Sequence, residues 1–204
     1  MNFIIIIIYY LLVYLILSKS IKWLIIFGLY IFVVKNINII DNNYYVYFLD
    51  VGQGDMSVIK YKDECIVIDT GPSSMYTYKI TDNHIKFLHS IGANNIDLLI
   101  ISHGDNDHIG NANYLIDNFK VEKVIFNCGP HNDLEKELIK VLDKKKIKYY
   151  SCIRELNIDN NKLYFLQTKE YDNENDNSNV IYTELNGYKF MFMGDASVTL
   201  KKKY

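Results

Sequence analysis

Acidic residues are missing from the first 40 positions; all 24 come later. Residues 1–34 carry only Lys19 and Lys22 as charges. Also missing is an uninterrupted apolar run of roughly 20 residues, the length an untilted membrane span requires. Phe3 to Leu17 and Ile21 to Val34 are each about 15 residues long, separated by Ser18-Lys19-Ser20. No basic segment precedes the first run and no small-x-small cleavage pattern follows it, which argues against a cleaved signal peptide. The 3 cysteines, Cys65, Cys128 and Cys152, lie far apart with no C-x-x-C. The odd count and the spacing argue against a disulfide framework or a zinc knuckle. Basic charge is not in excess either. Beyond residue 35, 19 basic residues face 24 acidic ones, a net of −5. Such a domain is no strong nonspecific nucleic-acid binder on its own. An anionic substrate would depend on bound cations and local lysines. No internal repeat of short period is present.

The chain reads as three parts. Residues 1–35 are apolar all round and are expected to insert in a membrane, as a short helical hairpin or one interrupted span. In the hairpin, Lys19 and Lys22 stay cytoplasmic under the positive-inside rule. The remainder then lies outside the cytoplasm, at the cell membrane. Residues 36–43 form a polar linker, and residues 44–204 a folded domain. Within it, Tyr44 to Leu49 is rich in aromatic and β-branched residues and predicts a strand. Residues 56–60 and 64–68 predict a hairpin around Lys62-Asp63, and residues 84–91 a helix. A strand at 121–126 and a charged helix at 133–146, capped by Asn132 or Asp133, follow. Strands at 148–151 and 163–167 come next. Asn186-Gly187 is a strong turn signal joining strands at 180–185 and 188–193. The basic tail Lys201-Lys202-Lys203 reads as solvated.

The chemistry concentrates after Asp97-Leu98-Leu99-Ile100-Ile101. This continuous apolar run has the character of a central strand covered on both faces. His103, Asp105, Asp107 and His108 follow within six residues, on a loop between that strand and a helix from Ala112 that Asn111 would cap. If the loop is extended, alternate residues project the same way. His103 and Asp105 then share one metal ion, and Asp107 and His108 a second. Asp195, after another apolar strand, is a candidate bridging carboxylate. Asp69, at a strand end, either orients a ligand histidine or caps a turn. Asp55 belongs to a glycine-bearing turn, Asp50-Val51-Gly52-Gln53-Gly54-Asp55, that permits close backbone approach. His84, His89 and His131 show no partner pattern and read as surface or satisfied core histidines. Cys65 reads as a small core residue.

The segment His103-Gly104-Asp105-Asn106-Asp107-His108 resembles the His-x-His-x-Asp-His signature of metallo-β-lactamase-fold hydrolases, with Asp105 at the second histidine. Phe48-Leu49-Asp50-Val51-Gly52-Gln53-Gly54-Asp55, Ile68-Asp69-Thr70-Gly71, Asn175-Asp176-Asn177-Ser178 and Gly194-Asp195 narrow the resemblance to the nuclease-like domain of ComEC-type DNA-uptake proteins. The resemblance implies a mixed α/β fold, a four-layer αββα sandwich incomplete at its C-terminus, behind one or two transmembrane helices. It also implies two divalent metal ions bound by His103, Asp105, Asp107, His108 and Asp195, with Asp107 also handling the proton. Asn177 and Ser178 stand where many relatives carry a further histidine. The oxygen-rich ligand set makes manganese slightly favoured over zinc. The implied activity is phosphodiester cleavage of DNA linked to uptake. The alternatives are a small-molecule metallo-hydrolase, or an inactive remnant or partner subunit of a split protein. In the split case a second polypeptide would supply the channel region and the last third of the fold.

Overall fold

The computed structural model describes residues 21–35, 42–73, 78–158, 161–167 and 169–197, and isolated positions between 6 and 17. The chain divides into two units, Met1–Asn42 and Asn43–Tyr204. In the first, helix α1 (Ile21–Lys35) carries the second apolar run. Its 15 residues rise only about 22 Å at 1.5 Å each, less than the roughly 30 Å hydrocarbon core. Among the described residues, no helix is long and apolar enough to cross a membrane. Most of the first apolar run, the Ser18-Lys19-Ser20 turn, the linker up to Asp41 and the Lys201-Lys202-Lys203 tail lie outside the described residues.

The second unit contains two sheets. The larger has six strands in sequence order: β1 (Tyr44–Phe48), β2 (Ser57–Tyr61), β3 (Glu64–Ile68), β4 (Leu98–Ile100), β5 (Lys123–Phe126) and β6 (Lys148–Ser151). β1, β2 and β3 pair antiparallel, and β3 to β6 pair parallel. Parallel neighbours need crossover connections, here made by α2 (Tyr78–Ser90), then α3 (Asn106–Ile109) with α4 (Ala112–Asn118), then α5 (Asp133–Lys145). The smaller sheet is antiparallel, in the order β10 (Tyr188–Phe192), β9 (Ile181–Leu185), β8 (Asn161–Phe165), β7 (Glu155–Ile158).

Alternation along the strands builds two cores, because successive side chains point to opposite faces. Val67, Leu99 and Val124 pack with Leu88, Leu115, Ile116, Leu138 and Leu142 of the helices. Their neighbours Ile66, Ile68, Leu98, Ile100 and Ile125 pack with Leu163, Phe165, Ile181 and Leu185 of the smaller sheet. The central strands are therefore apolar on both faces, as the run at 97–101 predicted. The layers among the described residues are helices, large sheet, small sheet. The expected fourth layer is not among them.

Local signals account for most elements. Asn132 caps α5 in a reciprocal capping box with Glu135. Asn186 and Gly187 both adopt positive φ (53° and 79°) in the β9–β10 turn, the requirement of a two-residue type I′ hairpin. Several expectations change. Helix α2 begins at Tyr78, several residues before the predicted start. Strand β7 has no counterpart in the sequence reading; its Glu155 and Asn157 gave no apolar signal. Asn111 does not cap α4 with its side chain; its amide instead donates to the carbonyls of Thr70 and Pro72. The cysteine reading is corrected: Cys128 and Cys152 are joined in a disulfide, and only Cys65 is free and buried. Parallel pairing places Phe126 opposite Ser151, so the strand ends β5 and β6 deliver the two thiols to one place. Sequence spacing alone carries no trace of that register.

Candidate metal centre

Strand β4 ends at Ile100, and the Ile101 N–H still bonds to the Ile125 carbonyl. Ser102 and His103 then enter the space at the C-terminal end of the sheet, both buried. The expected extended loop is replaced by a helical turn. The N–H groups of His108 and Ile109 donate to the Asp105 carbonyl, and Asn106–Ile109 form α3. Successive helical residues are turned by about 100°, so Asp107 and His108 do not face the same point.

The two histidines converge. Their ring centroids are 4.2 Å apart, and both are essentially fully buried. His108 Nδ1 lies 2.9 Å from Asp69 Oδ2, and His108 Nε2 lies 3.4 Å from Asp195 Oδ1. His103 Nδ1 is 3.1 Å from Ser102 Oγ. His103 Nε2 faces Asp105 Oδ2 at 3.5 Å, beyond good hydrogen-bond geometry, and is left as a buried nitrogen without a partner. Each ring is thus held by Nδ1 and presents Nε2 to a carboxylate.

Asp69 supplies the frame for this arrangement. It follows β3, is buried, and has φ 58°, a left-handed conformation that aspartate tolerates better than most residues. Its Oδ1 accepts the Ser102 N–H at 2.7 Å while its Oδ2 meets His108. Of the two readings for Asp69, orienting a histidine is the one the geometry realises. Thr70 adds a second clamp, its N–H and Oγ1 both donating to the His108 carbonyl.

The glycine-bearing turn lies directly against the motif. The Asp55 N–H donates to the Asp107 carbonyl at 3.3 Å. A Cβ on Gly54 (φ 113°) would stand 2.0 Å from that same oxygen. On the far side, Ser178 Oγ accepts the Asp195 N–H at 3.2 Å. Asn177 instead grips the main chain of Tyr171 through both ends of its amide, so it shapes the loop and does not face the histidines.

The structure therefore forms two groups with ligand atoms within 4.8 Å of one another: His103, His108 and Asp195, and Asp55, Asp69 and His108. Asp105 stands beside the first. Asp107 joins neither group among the described residues, although its charge is felt by both His108 and Asp55. Ser102 and Asn179 were not singled out in the sequence, and Thr70 appeared only within the Ile68–Gly71 segment. Asn179 bonds the Ser102 carbonyl through its N–H and the Ile101 carbonyl through its amide. Their adjacency to Asp69, His103 and Ser178 was the only available signal. Of the remaining histidines, His84 is buried with Nε2 3.3 Å from the Asp50 carbonyl, His89 stacks on Phe119, and His131 packs on Phe126.

The charges are strongly coupled. Burial alone pushes His108 down, but the hydrogen bond and charge of Asp69, then Asp195 and Asp107, more than reverse this and bring it to about 9. Burial pushes the Asp55 carboxyl up, against the opposing charge of His108 and with help from Asp69, Asp195 and Asp107. Four carboxylates around two imidazoles are an arrangement that a divalent cation relieves, because it replaces the imidazole proton and neutralises the carboxylates. The orphaned His103 Nε2 and the mixed nitrogen and oxygen donors fit such an ion. Beside the centre is a cleft of about 210 Å³, bounded by Phe48, Asp55, Asp69, Ser102, Met191 and Gly194.

Several known proteins are similar to this chain. ComE operon protein 3 of Bacillus subtilis (strain 168) is 24% identical over 165 residues, covering 72% of this chain and 21% of that protein. The chain thus spans about a fifth of that relative's length. Among solved structures, the FEZ-1 metallo-β-lactamase of Legionella gormanii has 12% identity and a TM-score of 0.49, over 76% of this chain and 62% of that one. The metallo-β-lactamase fold protein YhfI of Bacillus subtilis has 15% identity and a TM-score of 0.45, over 69% and 54%. The model of the Metallo-beta-lactamase superfamily matches residues 49–202. With its histidine and carboxylate centre at the end of β4, this chain belongs to the metallo-β-lactamase superfamily.

Proposed function

We propose that this chain is a metal-dependent phosphodiesterase acting on DNA in the course of its uptake at the cell membrane. The carrying observation is the donor set. His103 and His108 present buried Nε2 atoms to two carboxylates, Asp105 at 3.5 Å and Asp195 at 3.4 Å. Oxygen-rich sites suit harder ions, so two divalent cations, with manganese ahead of zinc, are the proposed cofactors. Such ions supply charge stabilisation to a phosphoryl group under attack. Asp69 would keep His108 in the ligand tautomer, Ser102 would do the same for His103, and Asp107, with Asp55, would exchange protons with the reacting group. The resemblance of the Phe48–Asp55 and Ile68–Gly71 segments to ComEC-type DNA-uptake proteins supports DNA as the substrate over a small ester or lactone.

One observation supports an extracytoplasmic position for the domain. A disulfide such as Cys128–Cys152 persists in oxidising compartments and is rare in the cytosol. The apolar residues 1–35 are proposed to attach the chain to the membrane.

The test is cleavage of single-stranded DNA by the full chain supplied with manganese or zinc, beside a panel of small esters and lactones. Manganese-dependent DNA cleavage that disappears in His108→Ala is expected. Equal cleavage by the variant, or turnover confined to small esters, would refute the reading.

A further inference from the structure

At the opposite end of the parallel strands from the histidines lies a broad groove of about 570 Å³, bordered by Lys120, Lys123, Lys145, Lys146 and Lys148 with Glu122 as its one acid. It opens where α4 and α5 end and where β5 and β6 begin. The surrounding domain is acidic, 24 acidic against 19 basic residues beyond position 35, so this concentration of cations is a local reversal. Lys120 pairs with Glu122 at 3.1 Å and Lys145 with Asp117 at 2.7 Å. Lys145 also suits the carbonyl end of α5, where cations are favoured.

Lys123 and Lys148 have no such explanation, and Lys146, also at the carbonyl end of α5, has no acidic partner among the described residues. All three are exposed, and none forms an ion pair with a carboxylate among the described residues. Lys123 and Lys148 stand directly opposite one another in the β5–β6 register, where like charges destabilise the pairing. Lys146 caps α5 at φ 58°, ψ 35°, the left-handed position that glycine fills most cheaply. Lysine thus stands against local preference at the Lys123–Lys148 pair and at Lys146, and all three border one concavity. An anionic ligand would relieve the repulsion between Lys123 and Lys148.

We propose that this groove binds the phosphate backbone of single-stranded DNA, as a second contact remote from the metal centre. The proposal rests on the DNA reading given above. A row of phosphates matches a concave file of cations, whereas a planar lipid surface would reach only its rim. Lysine contacts to phosphates act by releasing counterions, so binding should weaken steeply with salt.

The experiment uses the full chain in neutral detergent with chelator present, so that no cleavage occurs, and a fluorescent oligothymidylate. The variant is Lys123→Thr with Lys146→Gly and Lys148→Thr, which relieves the repulsion and the backbone cost. Its melting temperature should match or exceed that of the parent. Its affinity should fall roughly tenfold or more at low salt, with the log–log salt slope shallower by about 2, the value for three lost contacts at 0.7 each. Unchanged affinity and slope would overturn the proposal. So would unchanged DNA binding with lost binding to phosphatidylglycerol vesicles, which would mark a lipid surface. DNA cleavage that survives in manganese beside unchanged binding by the variant leaves the metal-centre reading standing and removes this one. Lysine-dependent binding without cleavage does the reverse.

Discussion

Glu135 offers a quantitative test of how this fold handles a buried acid. It is fully buried at the third position of α5. Its Oε2 accepts the Asn132 N–H at 2.9 Å, while Oε1 has no hydrogen-bond partner. His131 Nδ1, also without a partner, is 3.6 Å from Oε2, too far for a hydrogen bond. Burial pushes the Glu135 carboxyl up to about 7, with the charges of Glu174 and Asp105 adding to it and the Asn132 N–H and Lys136 opposing. A raised value favours the neutral form in the folded state. The stabilisation is therefore full below the ordinary value of 4.5 and is lost as pH rises through about 7. At about 1.4 kcal/mol per pH unit, the whole change is roughly 3–4 kcal/mol. Glu135→Gln keeps an acceptor for the Asn132 N–H, carries no charge, and adds a donor that can turn toward His131 Nδ1. Urea unfolding of the metal-free protein should show the variant more stable by roughly 3 kcal/mol at about pH 8 and within about 1 kcal/mol of the parent at about pH 5. A variant less stable at the higher pH, or a difference independent of pH, would refute the reasoning.

Three further perturbations probe the centre and its surroundings. Asp69→Asn removes the carboxylate that orients His108; metal affinity should fall roughly 10–100-fold, read by competition with a chromophoric chelator. Gly54→Ala forces a Cβ against the Asp107 carbonyl, 2.0 Å away; calorimetry should record a lower melting temperature together with weakened metal binding, and an unperturbed protein would contradict the contact. Cys128→Ser opens a disulfide spanning 24 residues and should cost about 3 kcal/mol; dithiothreitol should destabilise the parent but not the variant.

The legible parts of this protein are those written in local code. The apolar run before His103 announced a strand buried on both faces, Asn186-Gly187 a hairpin, and Asn132 with Glu135 a helix start. The convergence of His103 and His108 was legible for the same reason, since the two are close in sequence. What stayed hidden depends on partners distant in the chain. Cys128 meets Cys152 only once β5 and β6 pair in parallel. Ser102 matters because Asp69 lies across a strand boundary and receives its N–H. The expected pairing of Asp107 with His108 assumed extended backbone, and the helical turn at 106–109 separates their directions.

The tight seat of Gly54 on the Asp107 carbonyl has a mechanical consequence. The Asp50–Asp55 turn and the 105–109 turn are joined by the Asp55 N–H, and the Thr70 and Gly71 N–H groups extend the connection to His108 and back to Asp55. Three loops separated in sequence by up to half a hundred residues thus open as one cooperative unit. Protection of the Asp55, Thr70 and Gly71 amides from hydrogen exchange would rise together when a cation is captured, so occupancy of the centre is reported by backbone groups that never touch the ion.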